Sequence, residues 1–112
     1  MIDKLDFRIL QLMIEKTRRI IEISQKYSRE EIKKEYILSD TIQYEFEKLY
    51  EDSTRLSMEF RINHPWLHID DLRSIRNRVA HNYESVSIDI LLDTAEKDIP
   101  KLKVLLEDTI AE

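Results

Sequence analysis

HPWLHIDDLRSIRNRVAHNY, residues 64–83, is the stretch around which the rest of the chain is arranged, because it holds all three histidines and three closely spaced arginines. At about 100° per residue on a helical wheel, one apolar stripe emerges with steps of three, three and four. Its members are Ile69, Leu72, Ile75 and Val79. The pattern predicts an amphipathic helix with one side against a core and its polar residues on the other side.

The polar side of this segment places Arg76 and Tyr83 on one line, since seven residues advance a helix to within about 20° of two full turns. His81 follows Arg76 by five positions and lies about 140° round from it in a regular helix. Two arrangements would bring them together. Either the helix ends before His81 and the chain swings it back, or the arginine comes from a second subunit. Asn82 favours an ending nearby, because asparagine tolerates the left-handed conformation of a helix stop.

The segments before this stretch also have helical patterns. A first helix is predicted from about Asp3 to Tyr27, with a broad apolar stripe. Ser28 and Glu31 have the form of a capping box, which starts a new helix. We expect that helix to break or bend near Tyr36–Asp40, where Ser39-Asp40-Thr41 offers a second cap.

Beyond that point the pattern predicts one helix that continues to about Ile62. Pro65 ends it, because proline lacks the backbone donor and restricts the residue before it. The last helix begins near Ser87 and is apolar along one side. Pro100 lies inside this helix and predicts a kink or a restart capped by Asp98.

The composition limits the class of protein. A chain of 112 residues forms one domain, residues 1–112, and its hydrophobic share of 42% is too high for a disordered chain. The absence of glycine excludes a Walker loop or a Rossmann fingerprint, and the absence of cysteine excludes disulfides and a thiol nucleophile. No apolar run approaches the length of a membrane span. The sequence therefore predicts an all-α, four- to five-helix up-down bundle, soluble and in the cytoplasm.

The charge is unevenly distributed. The net charge of −5 argues against general nucleic-acid binding, which requires a basic surface. From Arg61 to His81, however, four arginines oppose Asp70 and Asp71, a local excess of +2. Such a basic patch suits brief RNA contact at one place, and it suits an acidic protein partner equally well.

Two histidines are candidate metal ligands. His64 and His68 have the four-residue spacing that can bind a metal on a helix. Pro65 places His64 outside the helix, and Asp71 is the only further ligand in view. We expect no metal and no cofactor, and we interpret these histidines as facing solvent or RNA.

Residues 76–83, RNRVAHNY, resemble the motif of the HEPN ribonucleases, written as Arg, four to six residues, His. More narrowly they resemble the HepT toxins, whose motif is Arg, four residues, His, any residue, Tyr. Arg76, His81 and Tyr83 match all three fixed positions. The helix carrying Asp98-Ile99-Pro100 is also similar to the family's last helix, whereas Ser74 stands where the family often has glycine. The resemblance implies a HEPN-like bundle that dimerises.

The residue types suit metal-independent RNA cleavage. RNA supplies its own nucleophile in the 2′-hydroxyl, so the protein must provide a proton acceptor or donor and a cation. An imidazole, with an ordinary pKa of about 6.5, provides the first, and a guanidinium provides the second. We assign His81 as general acid or base, Arg76 as phosphate clamp and Asn77 as an orienting hydrogen-bond partner. Arg73 and Arg78 are candidate supporting cations.

The resemblance implies two further partners. It implies a homodimer whose two motifs meet in a cleft, and an antitoxin with a minimal nucleotidyltransferase fold. In that family the motif tyrosine, here Tyr83, accepts AMP from the antitoxin. A nucleotide on Tyr83 would lie over the phosphate site and block RNA by bulk and charge.

Two other interpretations stay open at this stage. Arg76 could bond carbonyls at a helix end, and His81 could favour the negative end of the helix dipole, both without function. Alternatively, the chain is a non-catalytic helical subunit that presents substrate to a nucleotidyltransferase. Such a subunit would need no arginine and histidine pair.

Overall fold

The computed structural model describes residues 2–81 and 88–112, and of Ile75 and residues 78–81 it describes the backbone only. The described residues form six α-helices and one 3-10 turn, with no strand among them. In chain order they are α1 (Lys4–Lys26), α2 (Arg29–Lys34), α3 (Tyr36–Thr54), α4 (Met58–Asn63), the 3-10 turn (Pro65–Leu67), α5 (Ile69–His81) and α6 (Ile88–Ile110). The predicted all-α class is confirmed, and the expected segments are divided into more helices than four or five.

Helix α1 lies against both α6 and α3, and α5 packs on α3. Two ion pairs between α1 and α3 show how the two helices run relative to each other. The Nζ of Lys16 lies 2.7 Å from a carboxylate oxygen of Asp52, and the Nη1 of Arg19 lies 3.6 Å from Glu45. Because the numbers rise along α1 while they fall along α3, the two helices are antiparallel.

The core lies between the long helices and draws on every α-helix. Its buried apolar side chains include Ile9, Leu10, Met13, Ile20, Ile32, Ile42, Leu49, Phe60, Leu72, Leu91, Leu92, Ile99 and Leu106. At α2, Ser28 accepts a hydrogen bond from the backbone of Glu31, and the Glu31 side chain accepts one from the Ser28 backbone. The predicted capping box is therefore confirmed.

The predicted break near Tyr36–Asp40 lies one residue earlier, at Glu35. This residue is extended between α2 and α3, so that the chain turns and both Ile32 and Ile42 reach the core. The prediction of a second helix cap at Ser39-Asp40-Thr41 is wrong. The Ser39 hydroxyl donates to the Tyr36 carbonyl inside α3, and the neighbouring threonine bonds in the same manner.

The predicted continuous helix up to about Ile62 is also wrong, because the chain breaks between α3 and α4. Ser57 caps α4 by accepting a hydrogen bond from the Phe60 backbone. The Ser57 backbone N–H and hydroxyl both donate to the buried carboxylate of Asp6, at 2.9 and 2.7 Å. An uninterrupted helix would have given that N–H to the carbonyl of Ser53, which instead accepts from the guanidinium of Arg61.

Helix α6 runs unbroken through Pro100, so the predicted restart capped by Asp98 is wrong. The proline removes one backbone hydrogen bond, at the carbonyl of Glu96. Residues 96–98 are exposed, so water can satisfy that carbonyl. No helix in the described part of the chain is both long and apolar enough to cross a membrane.

Candidate active site

Helix α5 is placed by a sharp turn of the chain. After the 3-10 turn, His68 adopts a left-handed conformation with φ 50°, a region in which histidine is enriched among residues other than glycine. Ile69 and Leu72 then point into the core, as the stripe predicts. The remaining stripe residues, Ile75 and Val79, have side chains outside the described residues. The opposite side of α5 faces outward.

Arg76 lies on that outward side and is exposed. Its guanidinium carbon is 5.6 Å from the centroid of the Tyr50 ring on α3, within the range of a cation–π contact. Its Nη1 donates to the side-chain oxygen of Asn77 at 3.5 Å, a long hydrogen bond. Among the described residues Arg76 bonds no backbone carbonyl, unlike Arg61, which donates to the Ser53 carbonyl at 2.7 Å.

The charge of this surface is not neutralised within the described part of the chain. Neither Arg76 nor Arg73, which is exposed one turn earlier, lies within ion-pair distance of a described carboxylate. Arg29 shows the opposite arrangement, since it binds Asp93 and Glu96 of α6. The hydrogen bond that Arg29 donates to Asp93, followed by the one it donates to Glu96, raises the pKa of Arg29 further above its ordinary value. Within the described part of the chain, no carboxylate competes with an outside anion for Arg73 or Arg76.

The other motif residues are only partly described. Helix α5 includes His81 as its last residue, whereas the side chains of Arg78 and His81, and all of Asn82 and Tyr83, lie outside the described residues. Since α5 extends through His81, the hypothesis that the helix ends before this residue is wrong. Positions 76 and 81 then lie about 140° apart around one regular helix. The helix does not bring them onto one face within a single chain.

Tyr50 was not predicted as a site residue. It is half-buried beside the core. Its position at the edge of the apolar stripe of α3 is compatible with contact to a neighbouring helix. The pairing with Arg76 depends on the packing of α5 against α3, which no spacing in the sequence indicates.

The two candidate metal ligands, His64 and His68, have separate surroundings. The His64 ring stacks on Phe60 with centroids 4.1 Å apart, and its Nδ1 donates to the Phe60 carbonyl at 2.8 Å. Its Nε2 lies 3.6 Å from a carboxylate oxygen of Glu112. His68 lines a cavity of about 370 Å³ between α5 and α6, together with Asp71.

The fold and this surface define an all-α bundle protein with two exposed arginines, Arg73 and Arg76, that no described carboxylate pairs with, on the helix that carries its motif. A family model described as Ribonuclease HepT-like matches residues 13–109, which cover most of the chain and the whole motif. The chain belongs to this family. No solved structure matches it.

Proposed function

We propose that this protein is a metal-independent endoribonuclease, acting as the toxin of a toxin–antitoxin pair. Its family is one of ribonucleases, and RNA is the substrate that follows from that membership. The structural observation that supports the proposal most directly is the exposed, unpaired position of Arg76 among the described residues. This motif arginine is exposed and has no described carboxylate to neutralise it, so a phosphate can take that place.

In the proposed reaction the 2′-hydroxyl of the RNA attacks the adjacent phosphorus. His81 accepts the hydroxyl proton while water protonates the departing 5′-oxygen, or His81 protonates the 5′-oxygen while water accepts the hydroxyl proton. The bond from phosphorus to the 5′-oxygen breaks, and the products are a 2′,3′-cyclic phosphate and a 5′-hydroxyl. Arg76 binds the phosphate oxygens and stabilises the charge that develops on them, and Asn77 orients Arg76.

The supporting cations act at longer range. Arg73 lies one turn before Arg76 on the same exposed surface, so it can contact a neighbouring phosphate of the same strand. Arg78 is proposed in the same role from the sequence alone. These contacts are electrostatic and independent of sequence, and they weaken as salt rises.

The test is cleavage of RNA in EDTA by the wild type and by Arg76→Ala and His81→Ala. Removing the general acid or base should lower the rate by about 10²–10⁴-fold. Losing the charge stabilisation should lower it by about 10²–10³-fold. Arg8→Ala is the control, because Arg8 is exposed on α1 and contacts only Gln11 among the described residues.

Two results would contradict the proposal. Equal activity in the wild type and both motif variants would reject the active site and favour the non-catalytic subunit. Cleavage of RNA in which hydrogen replaces the 2′-hydroxyl would reject the mechanism. The products give a further check, because this attack must leave a cyclic phosphate.

We further propose that the protein acts as a homodimer and that a nucleotidyltransferase antitoxin inactivates it by transferring AMP to Tyr83. Helix α5 supports the dimer indirectly, because positions 76 and 81 of one chain lie about 140° apart. A second copy can supply the missing partner to each. A nucleotide on Tyr83 would place a phosphate beside Arg76 and exclude RNA.

A further inference from the structure

Tyr50 has an unusual position for a residue outside the motif. It lies on α3, where its half-buried ring packs against the core from one side. The other side of the ring lies under the guanidinium of Arg76, 5.6 Å away, at the contact between α3 and α5. This contact joins the motif to a helix that precedes it by more than twenty residues.

We propose that Tyr50 is a positioning residue for the reaction, holding Arg76 in place so that its charge meets the phosphate of the RNA. This inference rests on the proposed ribonuclease function. Tyr50 acts through Arg76, and its hydroxyl takes no part in the chemistry.

An arginine that must bind a phosphate needs to be held without being neutralised. Its long side chain has many rotamers, so an exposed arginine is poorly oriented unless another group holds it. A carboxylate would hold the guanidinium but would compete with the phosphate. The face of a tyrosine ring attracts the cation through its quadrupole and leaves the net charge unchanged. The hydrogen bond from Arg76 to Asn77 is long, so the ring contact adds a second restraint to the orientation that Asn77 provides.

Tyr44, on the same helix, also makes a cation–π contact, but its cation does not belong to the motif. The Nζ of Lys48 lies 5.4 Å from the Tyr44 ring centroid and 3.0 Å from a carboxylate oxygen of Glu51. The hydrogen bond to Glu51 raises the pKa of Lys48, so this cation is already paired. Tyr44 is exposed, and its loss removes a ring and a cation–π contact without touching Arg76. It is therefore a matched control.

The experiment compares Tyr50→Phe, Tyr50→Leu and Tyr44→Leu, each checked for folding by circular dichroism and assayed below its melting temperature. We expect Tyr50→Phe to keep kcat/KM close to that of the wild type, because the ring face remains. We expect Tyr50→Leu to lower kcat/KM by about three- to thirty-fold, the range of one cation–π contact. Tyr44→Leu should leave it unchanged.

A second measurement reports on Arg76 directly. The Nε–Hε resonance of Arg76, assigned by its absence in Arg76→Lys, should lose its ring-current shift in Tyr50→Leu and keep it in Tyr50→Phe. A purely structural role for Tyr50 would change stability without this selective effect. The proposal is overturned if the resonance is the same in both variants, or if both cleave RNA equally well. If the wild type itself does not cleave RNA, the proposed function fails first and this role of Tyr50 fails with it.

Discussion

The arginines of this chain differ in their partners. Some bond to backbone carbonyls or carboxylates of the protein and stabilise the fold, and others are exposed without such a partner among the described residues. Arg61 donates to the backbone carbonyl of Ser53, and Arg29 bridges carboxylates of α6, so both stabilise the fold. Arg76 and Arg73 are exposed on α5 without such a partner among the described residues. A guanidinium can bind a substrate phosphate only if the protein leaves its charge unpaired.

One prediction at this scale concerns Tyr83. Incubation of the protein with the proposed nucleotidyltransferase antitoxin and ATP should add the mass of one AMP to each chain, and Tyr83→Phe should remain unmodified. The adduct should abolish RNA cleavage, because the seven-residue spacing of positions 76 and 83 predicts that it puts a negative phosphate next to Arg76. Intact-mass spectrometry measures the modification. The same adduct on Tyr83→Phe, or none on the wild type, would eliminate Tyr83 as the acceptor.

The sequence predicts the motif residues but not their surroundings. The outward position of Arg76 follows from the helical spacing of Ile69 and Leu72, which the structure buries. The contact between Arg76 and Tyr50 does not follow, because it depends on how α5 lies against α3. Periodicity predicts which side of a helix is buried. It does not predict which side chains of a neighbouring helix contact that side.

The break between α3 and α4 shows the same limit for a whole element. Leu49, Ser53, Leu56 and Phe60 keep a helical period through the break, and all four are buried. The apolar pattern alone therefore predicts one helix. The break depends on Asp6, which is 4% exposed and distant in sequence. Its carboxylate accepts the hydrogen bond from the Ser57 backbone N–H, which would otherwise bond within a continuing helix.

We predict that Asp6→Ala destabilises the protein through α4. The substitution leaves the Ser57 N–H without its partner and frees the hydroxyl that caps α4, so the free energy of unfolding should fall by about 1–3 kcal/mol. The control is Glu59→Ala, an exposed acid in the first turn of α4, which should change it by less than about 0.5 kcal/mol. Urea unfolding measures both. Equal midpoints for the two variants would show that Asp6 does not stabilise this junction.

For the molecule as a whole, the acidic net charge and a nucleic-acid substrate are compatible because the charges are segregated. The chain has 23 acidic and 18 basic residues. Several carboxylates are engaged within the described residues, as Asp93 and Glu96 are by Arg29, and Asp52 is by Lys16. On α5 the exposed Arg73 and Arg76 have no ion-pair partner among the described residues. Such a surface favours a local contact with RNA over the extended binding of a basic protein.

The last prediction concerns assembly. If Arg76 of one subunit works with His81 of its partner, then Arg76→Ala and His81→Ala should each be inactive alone and complement each other when combined. A mixed dimer has one site that lacks both side chains and one site that retains both. With random exchange half of the dimers are mixed, so activity should return to about a quarter of the wild-type value in a two-fold symmetric dimer.

The two variants are combined by unfolding and refolding them together, and cleavage is measured on the same RNA as for the wild type. Dimer formation is checked by light scattering after size-exclusion chromatography. The control is the same refolding of each variant alone, which should yield no activity. A mixture as inactive as its components, in a preparation that is dimeric, would mean that each site is built from one chain. The His81 side chain would then have to reach the face of Arg76 within one chain, across the 140° separation of these two positions on α5.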